Sequence, residues 1–187
     1  MDRNKTRMQK RDLKKYVEYA LKAGATTVKT IQPSSVVTAP WVRLKCQFGC
    51  GGYDSGYCCP PYTPRHEETR NVLDSYERAL LFHIETSLTP GRRKILKQYR
   101  HSLIDLEAEM FKDGCYKAFV FLAGPCDVCS ECGKLAGNAC NNRWRARPSM
   151  EACGIDVFQT ARNNGFRIET LRKKTERRNT FCLMLVD

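Results

Sequence analysis

The chain has 187 residues, 11 of them cysteine, and a formal net charge of +12 from 32 Lys and Arg against 20 Asp and Glu. A chain of this length can bury a sizeable core, so its cysteines are not explained as the staples of a small disulfide scaffold. The N-terminal stretch lacks the apolar segment of a signal peptide, and no apolar run is long enough to cross a bilayer, which predicts a cytoplasmic protein with reduced thiols.

The hydrophobic pattern predicts four elements in the first half of the chain. They are a helix over 7–23 that ends at Gly24, an extended segment over 26–32, a strand over 36–46 and a helix over 65–79. Thr63 and Pro64 are typical of the N-cap and first position of the second helix. Residues 1–32 are interpreted as a basic helical arm that belongs to the same domain as the cysteine-rich remainder, 33–187.

A β-α-β unit is predicted over 79–124, where a long amphipathic helix over 89–114 separates two apolar strands. The two strands are expected to pair in parallel. One or two short helices over 147–165 follow, and 166–187 is predicted to form two strands joined by a charged turn. The predicted fold class is therefore α/β: a single domain with a mixed sheet, β-α-β units and cysteine-rich metal-binding loops.

The loop after the second of these strands carries a C-x-x-C-x-x-C motif. Its cysteines are Cys126, Cys129 and Cys132, and seven residues separate Cys132 from Cys140. Three thiolates at this spacing are typical of a [4Fe–4S] cluster whose fourth ligand is more distant in the chain. Structural zinc sites more often use two separate C-x-x-C pairs. The motif therefore predicts a [4Fe–4S] cluster, with zinc or simple buried thiols as the alternatives.

An earlier loop holds four further cysteines within fourteen residues: Cys46, Cys50, Cys58 and Cys59. Cys59 is favoured over Cys58 as a ligand because Pro60 follows it, as proline follows the last cysteine of bacterial ferredoxin runs. Neighbouring side chains in an extended segment also point to opposite sides, so both are not expected to bind one cluster. Cys46, Cys50 and Cys59 are therefore predicted to hold a second [4Fe–4S] cluster.

The fourth ligand of this second cluster stays open at this point. Cys58 or another thiol would give a closed cluster, His66 is a weaker candidate, and no protein ligand at all would leave one iron open to a small molecule. Exchange between the two sets is a further alternative, in which Cys59 and Cys140 each serve either cluster.

Three arginines follow Cys140 closely, namely Arg143, Arg145 and Arg147. They are interpreted as cofactor-binding residues that stabilise the negative charge of a cluster. A docking face for an acidic redox partner and ordinary solvated side chains are the alternatives. A nucleic-acid partner is disfavoured because stacking aromatics are not interleaved with the basic residues, and no membrane partner is predicted.

The motifs KCQFGC, CCPPYTPRHEETR, AGPCDVCSECG and ARPSMEACGIDVFQTARNNGF, together with Cys140, resemble a known family from about residue 40 onward. It is the family of predicted metal-binding proteins called domain of unknown function 2284, from anaerobic bacteria and archaea. The resemblance implies metal at the matched cysteines in the form of iron–sulfur clusters, and it implies no particular reaction. Cys58 and Cys153 depart from the family pattern.

These observations predict an iron–sulfur protein that relays electrons in anaerobic metabolism to a redox or acidic protein partner. Two alternatives stay open. One is an enzyme that uses an open-iron [4Fe–4S] cluster for sulfur transfer or dehydration. The other is a zinc-stabilised module that binds nucleic acid.

Overall fold

The computed structural model describes residues 12–173 and 175–187. Within these residues the chain forms five α-helices and four strands, in the order α1 (Lys14–Lys22), β1 (Thr27–Ile31), α2 (Pro40–Gly49), α3 (His66–Asp74), β2 (Ala79–Thr86), α4 (Arg92–Lys112), β3 (Phe119–Phe121), α5 (Val157–Asn163) and β4 (Arg178–Leu185). Short 3₁₀ turns lie at Pro33–Ser35, Gly133–Ala136 and Glu151–Cys153. The predicted α/β class is confirmed.

The four strands form one sheet in the order β1-β2-β4-β3, and every ladder between them is antiparallel. The longest ladder joins β2 and β4 over eight residue pairs, from Ala79 opposite Leu185 to Thr86 opposite Arg178. Both strands are central and are buried on both faces along most of their length. Such strands require a continuous apolar run rather than an alternating one, and residues 181–186 supply it.

Helices cover both faces of this sheet. On one face α1 and α4 pack against alternate residues of the strands, with Tyr16, Leu103 and Met110 fully or almost fully buried. On the other face α3, α5 and the 3₁₀ turn at Glu151–Cys153 pack over Leu81, Leu183 and their neighbours. The structure thus has three layers, and the cysteine loops emerge at its edge. None of the described helices is both long and apolar enough to cross a bilayer.

The predicted parallel pairing within 79–124 is wrong. Strands β2 and β3 do run in the same direction on either side of α4, but β4 lies between them and pairs antiparallel with both. The C-terminal run takes this place because its apolar side chains face both layers of the core, whereas β3 has only three residues and forms the edge. The sheet is therefore antiparallel rather than mixed.

Two other strand predictions are also wrong. Residues 36–46 do not form a strand, because Pro40 occupies the first turn of α2 after the extended Ala39, and the segment continues as a helix. Residues 166–171 form no strand either, since β4 already pairs with β2 on one side and β3 on the other. The first eleven residues of the predicted arm, which include 7–11 of its helix, lie outside the described residues, and α1 is the described part of that helix.

Candidate metal centre

The later of the two cysteine loops in the chain, residues 122–150, is called the second cysteine loop. It begins where β3 ends and returns to the same place. Leu122 N donates to Pro148 O at 2.8 Å, and Met150 N donates to Leu122 O at 2.9 Å. These bonds close the base of the loop beside a buried strand. The intervening residues, with Cys126, Cys129, Cys132 and Cys140, therefore project from a fixed base.

The first cysteine loop is the segment between α2 and α3, residues 50–65. It follows α2, which is held against the 3₁₀ turn at Glu151–Cys153. Arg43 Nη1 donates to Thr63 Oγ1 and to Ala152 O, both at 2.8 Å, and Thr63 Oγ1 also donates to Ala152 O. Thr63 is buried in this contact rather than serving as the N-cap of α3, which is Arg65. The loop is thus anchored at both ends to one turn of the core.

The two loops lie against each other. Tyr57 Oη donates to Asn138 O at 2.8 Å, and Lys134 Nζ lies 2.9 Å from Asp54 Oδ1. At Gly56 an added Cβ would lie 3.5 Å from Cys132 Sγ, so the backbone of the first loop directly contacts a thiol of the second. Cysteines that are about seventy residues apart in the chain are thereby brought together.

Six thiols line a small cavity between the loops. They belong to Cys58, Cys59, Cys126, Cys129, Cys132 and Cys140, and the cavity has a volume of about 70 Å³. Its other lining residues are uncharged, with Ser55, Tyr57 and two asparagines as the polar ones. This donor set consists of soft sulfur ligands without carboxylate or imidazole, which fits Zn²⁺, Cu⁺ or an iron–sulfur cluster and not a hard cation.

Cys58 is the residue of this set that the sequence places below Cys59, as a possible fourth ligand only. It is buried, and its thiol interacts with the thiol of Cys126 across the two loops. That interaction lowers the pKa of the Cys126 thiol to about 6 and raises the pKa of the Cys58 thiol, so Cys126 is the member of the pair that loses its proton first. The argument from opposite sides of an extended segment fails because this segment is a turn, in which Cys59 N donates to Gly56 O at 3.0 Å.

Cys46 and Cys50 lie beside a second, larger pocket of about 730 Å³, which Cys58 and Cys59 also line. Cys46 Sγ is 3.9 Å from Glu151 O, and burial followed by the charge of Cys50 raises the pKa of the Cys46 thiol. Cys50 is exposed, and its sulfur accepts a hydrogen bond from Gly52 N at 3.4 Å. The two cysteine sets therefore meet at Cys58 and Cys59, which border both cavities.

The three arginines have different surroundings. Arg143 is exposed, and Arg145 Nη1 lies 2.8 Å from Asp105 Oδ1. The Arg147 guanidinium binds the buried carboxylate of Glu107, with Nε at 2.9 and 3.0 Å from its two oxygens. Hydrogen bonding by the main chain of Arg147 contributes to the lowered pKa of Cys126. Arg147 thus interacts with the cysteine site through its backbone, and its guanidinium, whose pKa is raised by Glu107 and also by the charge of Cys58, binds Glu107.

The remaining cysteines are core residues. Cys115, Cys153 and Cys182 are buried among apolar side chains. Burial raises the pKa of the Cys153 and Cys182 thiols to about 12, so both stay protonated and inert at neutral pH. All eleven cysteines of the chain are free. Within 12–173 and 175–187, no three side chains of His, Cys, Asp or Glu are grouped closely enough to hold a single metal ion.

Comparison with known proteins gives one finding. A family model described as "Predicted metal-binding protein (DUF2284)" matches residues 29–186 of the chain. Neither the curated proteins nor the solved structures include a significant match.

Proposed function

The chain belongs to the DUF2284 family of predicted metal-binding proteins, and we propose that it holds the metal as two [4Fe–4S] clusters in its two cysteine loops. In the proposed role the protein is cytoplasmic and relays electrons to a redox partner in anaerobic metabolism.

The observation that supports this proposal is the gathering of thiols. Six cysteines from two distant segments line one cavity without a carboxylate, and Cys46 and Cys50 line the pocket next to it. Eight thiols supply four ligands to each of two cubane clusters, so no ligand from outside the chain is needed. Cys58 provides the eighth thiol. Binding a cluster would require these side chains to turn toward a common centre.

The assignment of ligands follows the two cavities. Cys126, Cys129 and Cys132 keep Cys140 as their partner, because Cys140 lines the small cavity with them. Cys46, Cys50 and Cys59 take Cys58, which lines the larger pocket with them. The contact between Cys58 and Cys126 then joins the two sites. It also provides a route by which the two sets exchange a ligand.

A bound [4Fe–4S] cluster supplies one-electron transfer, and the chain sets the conditions for it. Asn142 Nδ2 donates to Cys129 Sγ at 3.1 Å, and Gly52 N donates to Cys50 Sγ. Hydrogen bonds of this kind stabilise the electron-rich sulfur and raise the reduction potential. Arg143 and Trp144 are exposed beside the second loop and offer a contact for an acidic partner.

A second candidate function is supported by one observation, the pocket of about 730 Å³ that Cys46, Cys50 and Cys59 line. A protein that only relays electrons has no need for a cavity of this size beside its ligands. If Cys58 serves the other cluster, one iron of this set would lack a protein ligand and act as a Lewis acid on a bound molecule.

Metal analysis of protein purified without oxygen tests the proposal. Iron and sulfide are expected in equal amounts, about eight of each per chain, with visible absorbance that dithionite bleaches. Cys58→Ala and Cys129→Ala are each expected to remove about half of the iron, because each breaks one four-ligand set. Cys182→Ala is the matched control, since Cys182 is a buried thiol of the core, and it should leave the iron content unchanged.

Colourless protein with stoichiometric zinc would refute the iron–sulfur proposal and support the zinc-stabilised alternative. Equal iron loss in Cys58→Ala and Cys182→Ala would refute the role of Cys58 alone. An EPR spectrum of the reduced protein that changes on addition of cyanide would favour the open-iron enzyme, whereas an unchanged spectrum would favour electron relay.

A further inference from the structure

The pocket of about 730 Å³ has the size and lining of a small-molecule site. Its volume lies within the range of about 300–1,000 Å³ that is typical of ligand pockets. It lies between α2, α4, the first cysteine loop and the start of β4. Its apolar lining includes Trp41, Leu96, Ile155, Phe158, Ile168 and Phe181. The body of a bound molecule would therefore contact mostly apolar side chains.

Two arginines of the pocket are held next to each other. Arg178 stands opposite Thr86 in the ladder between β2 and β4, and Arg92 Nε donates to Thr86 Oγ1 at 2.9 Å. Burial and the charge of Arg178 lower the pKa of Arg92, which reflects two cations in close proximity. Among the described residues neither guanidinium forms an ion pair with a carboxylate, and Arg178 Nε is buried without a hydrogen-bond partner.

Other charged groups of the pocket do not compensate these two cations. Arg100 is a third guanidinium, bound to Asp127 through Nη2 and with its buried Nε unpartnered. Asp156 caps α5 by accepting from Gln159 N, and Glu169 is exposed. Glu151 Oε2 is buried without a hydrogen-bond partner, and within the described residues this carboxyl pairs with neither arginine. Lys45 adds a further positive charge at the rim.

Like charges held together in a partly buried place are costly unless an anion lies between them. Guanidinium groups bind carboxylate and phosphate through paired, charge-assisted hydrogen bonds. We propose that this pocket binds a small organic anion, whose oxyanion lies between Arg92 and Arg178 and whose apolar body packs against Leu96 and Ala123 on the same face of the sheet.

This inference goes beyond the proposed function, because the arginine site does not depend on any metal. Cys46, Cys50 and Cys59 line the same pocket, so a molecule held there would lie beside the first cysteine set. Only this last consequence depends on the proposed cluster. The bound anion would then be a substrate or effector of the metal site.

Titration calorimetry on the full-length protein tests the site, with octanoate and octyl phosphate as probes and 1-octanol as the uncharged match. Either anion is expected to bind at least about tenfold more tightly than octanol, the gain of one charge-assisted hydrogen bond or more. The anion that binds more tightly identifies the headgroup as carboxylate or phosphate. Trp41 lines the pocket, and its fluorescence in a Trp144→Phe background gives a second readout.

Arg92→Gln and Arg178→Gln are each expected to weaken anion binding about tenfold and to leave octanol binding unchanged. The matched controls are their neighbours, Arg93→Gln and Arg177→Gln. Arg93 is exposed, and Arg177 pairs with Glu85 outside the pocket. These two should bind the anion as the parent protein does. Arg178→Lys, which keeps the charge without the planar fork, should bind with intermediate affinity.

Anions that bind no more tightly than octanol would overturn the inference. Equal weakening by all four glutamine variants would also overturn it, because it would indicate general attraction by the net positive charge. Failure here is separable from failure of the proposed function. A colourless protein that binds octanoate through Arg92 and Arg178 would refute the clusters alone, and an iron-loaded protein that binds no anion would refute the pocket alone.

Discussion

Replacing Arg147 tests how the second cysteine loop is fixed to the core. Its side chain is 15 % exposed, that of Glu107 is 10 % exposed, and two of their contacts measure 2.9 and 3.0 Å. Glu107 Oε2 also accepts from Val120 N at 2.7 Å, and the Arg147 guanidinium lies 5.4 Å from the centre of the Phe119 ring. The pair therefore ties the end of the loop to both α4 and β3.

Arg147→Met would leave the Glu107 carboxylate buried without its cation. Removing one partner of a buried pair typically costs about 3–5 kcal/mol, because the remaining charge is uncompensated. The double variant Glu107→Gln/Arg147→Met is expected to cost less than the sum of the two single variants, by about 2 kcal/mol. Arg145→Met is the matched control. Arg145 and Asp105 are 36 % and 51 % exposed, and such pairs contribute only about 0–1 kcal/mol.

Urea unfolding followed by circular dichroism under reducing conditions measures these differences. With a slope of about 3 kcal/mol per molar urea, Arg147→Met should lower the unfolding midpoint by about 1 M or more, and Arg145→Met by less than about 0.4 M. Equal shifts for the two variants would refute the reasoning that burial makes the Glu107 pair important. Strict additivity of the two single variants would refute the coupling.

Two further predictions concern thiol reactivity and backbone geometry. In reduced, metal-free protein, the rate at which iodoacetamide alkylates Cys126 should have its midpoint near pH 6, because the lowered pKa makes this residue a thiolate above about pH 6 and a thiol below it. Cys58→Ala should move that midpoint to higher pH, as measured by peptide mass spectrometry. An unchanged midpoint would contradict the contact between Cys58 and Cys126. Gly154→Ala should lower the melting temperature by at least about 4 °C more than Gly124→Ala does. Both glycines have positive φ, but of the two only Gly154 would place an added Cβ in a clash, at 2.7 Å from His66 Cβ. Equal melting temperatures of the two variants would contradict this reasoning.

Much of the local structure is predictable from short segments of the sequence. The periodicity of 89–114 and the apolar run of 79–87 predict α4 and β2 correctly, because a helix face or a buried strand is encoded within a few neighbouring residues. The family expected from the cysteine motifs is confirmed by the match over 29–186. The ligand roles of the cysteines stay predictions.

Errors arise where a distant segment competes for the same place. A β-α-β pattern predicts parallel pairing of β2 and β3, yet β4 lies between them. Its position depends on burial of both faces of 181–186 between two helical layers, which no local pattern reveals. The strand predicted over 36–46 is wrong for a local reason, the preference of Pro40 for the first turn of a helix.

Composition and local patterns establish that many thiols, an excess of basic charge and an α/β set of elements occur in one chain. The packing of the chain determines which thiols are neighbours, since Cys58 reaches Cys126 only because two loops pack together. It also decided that Arg92 and Arg178 meet at Thr86 beside an apolar pocket. Composition and spacing are properties of the chain, whereas proximity between distant residues depends on how the strands and loops are packed.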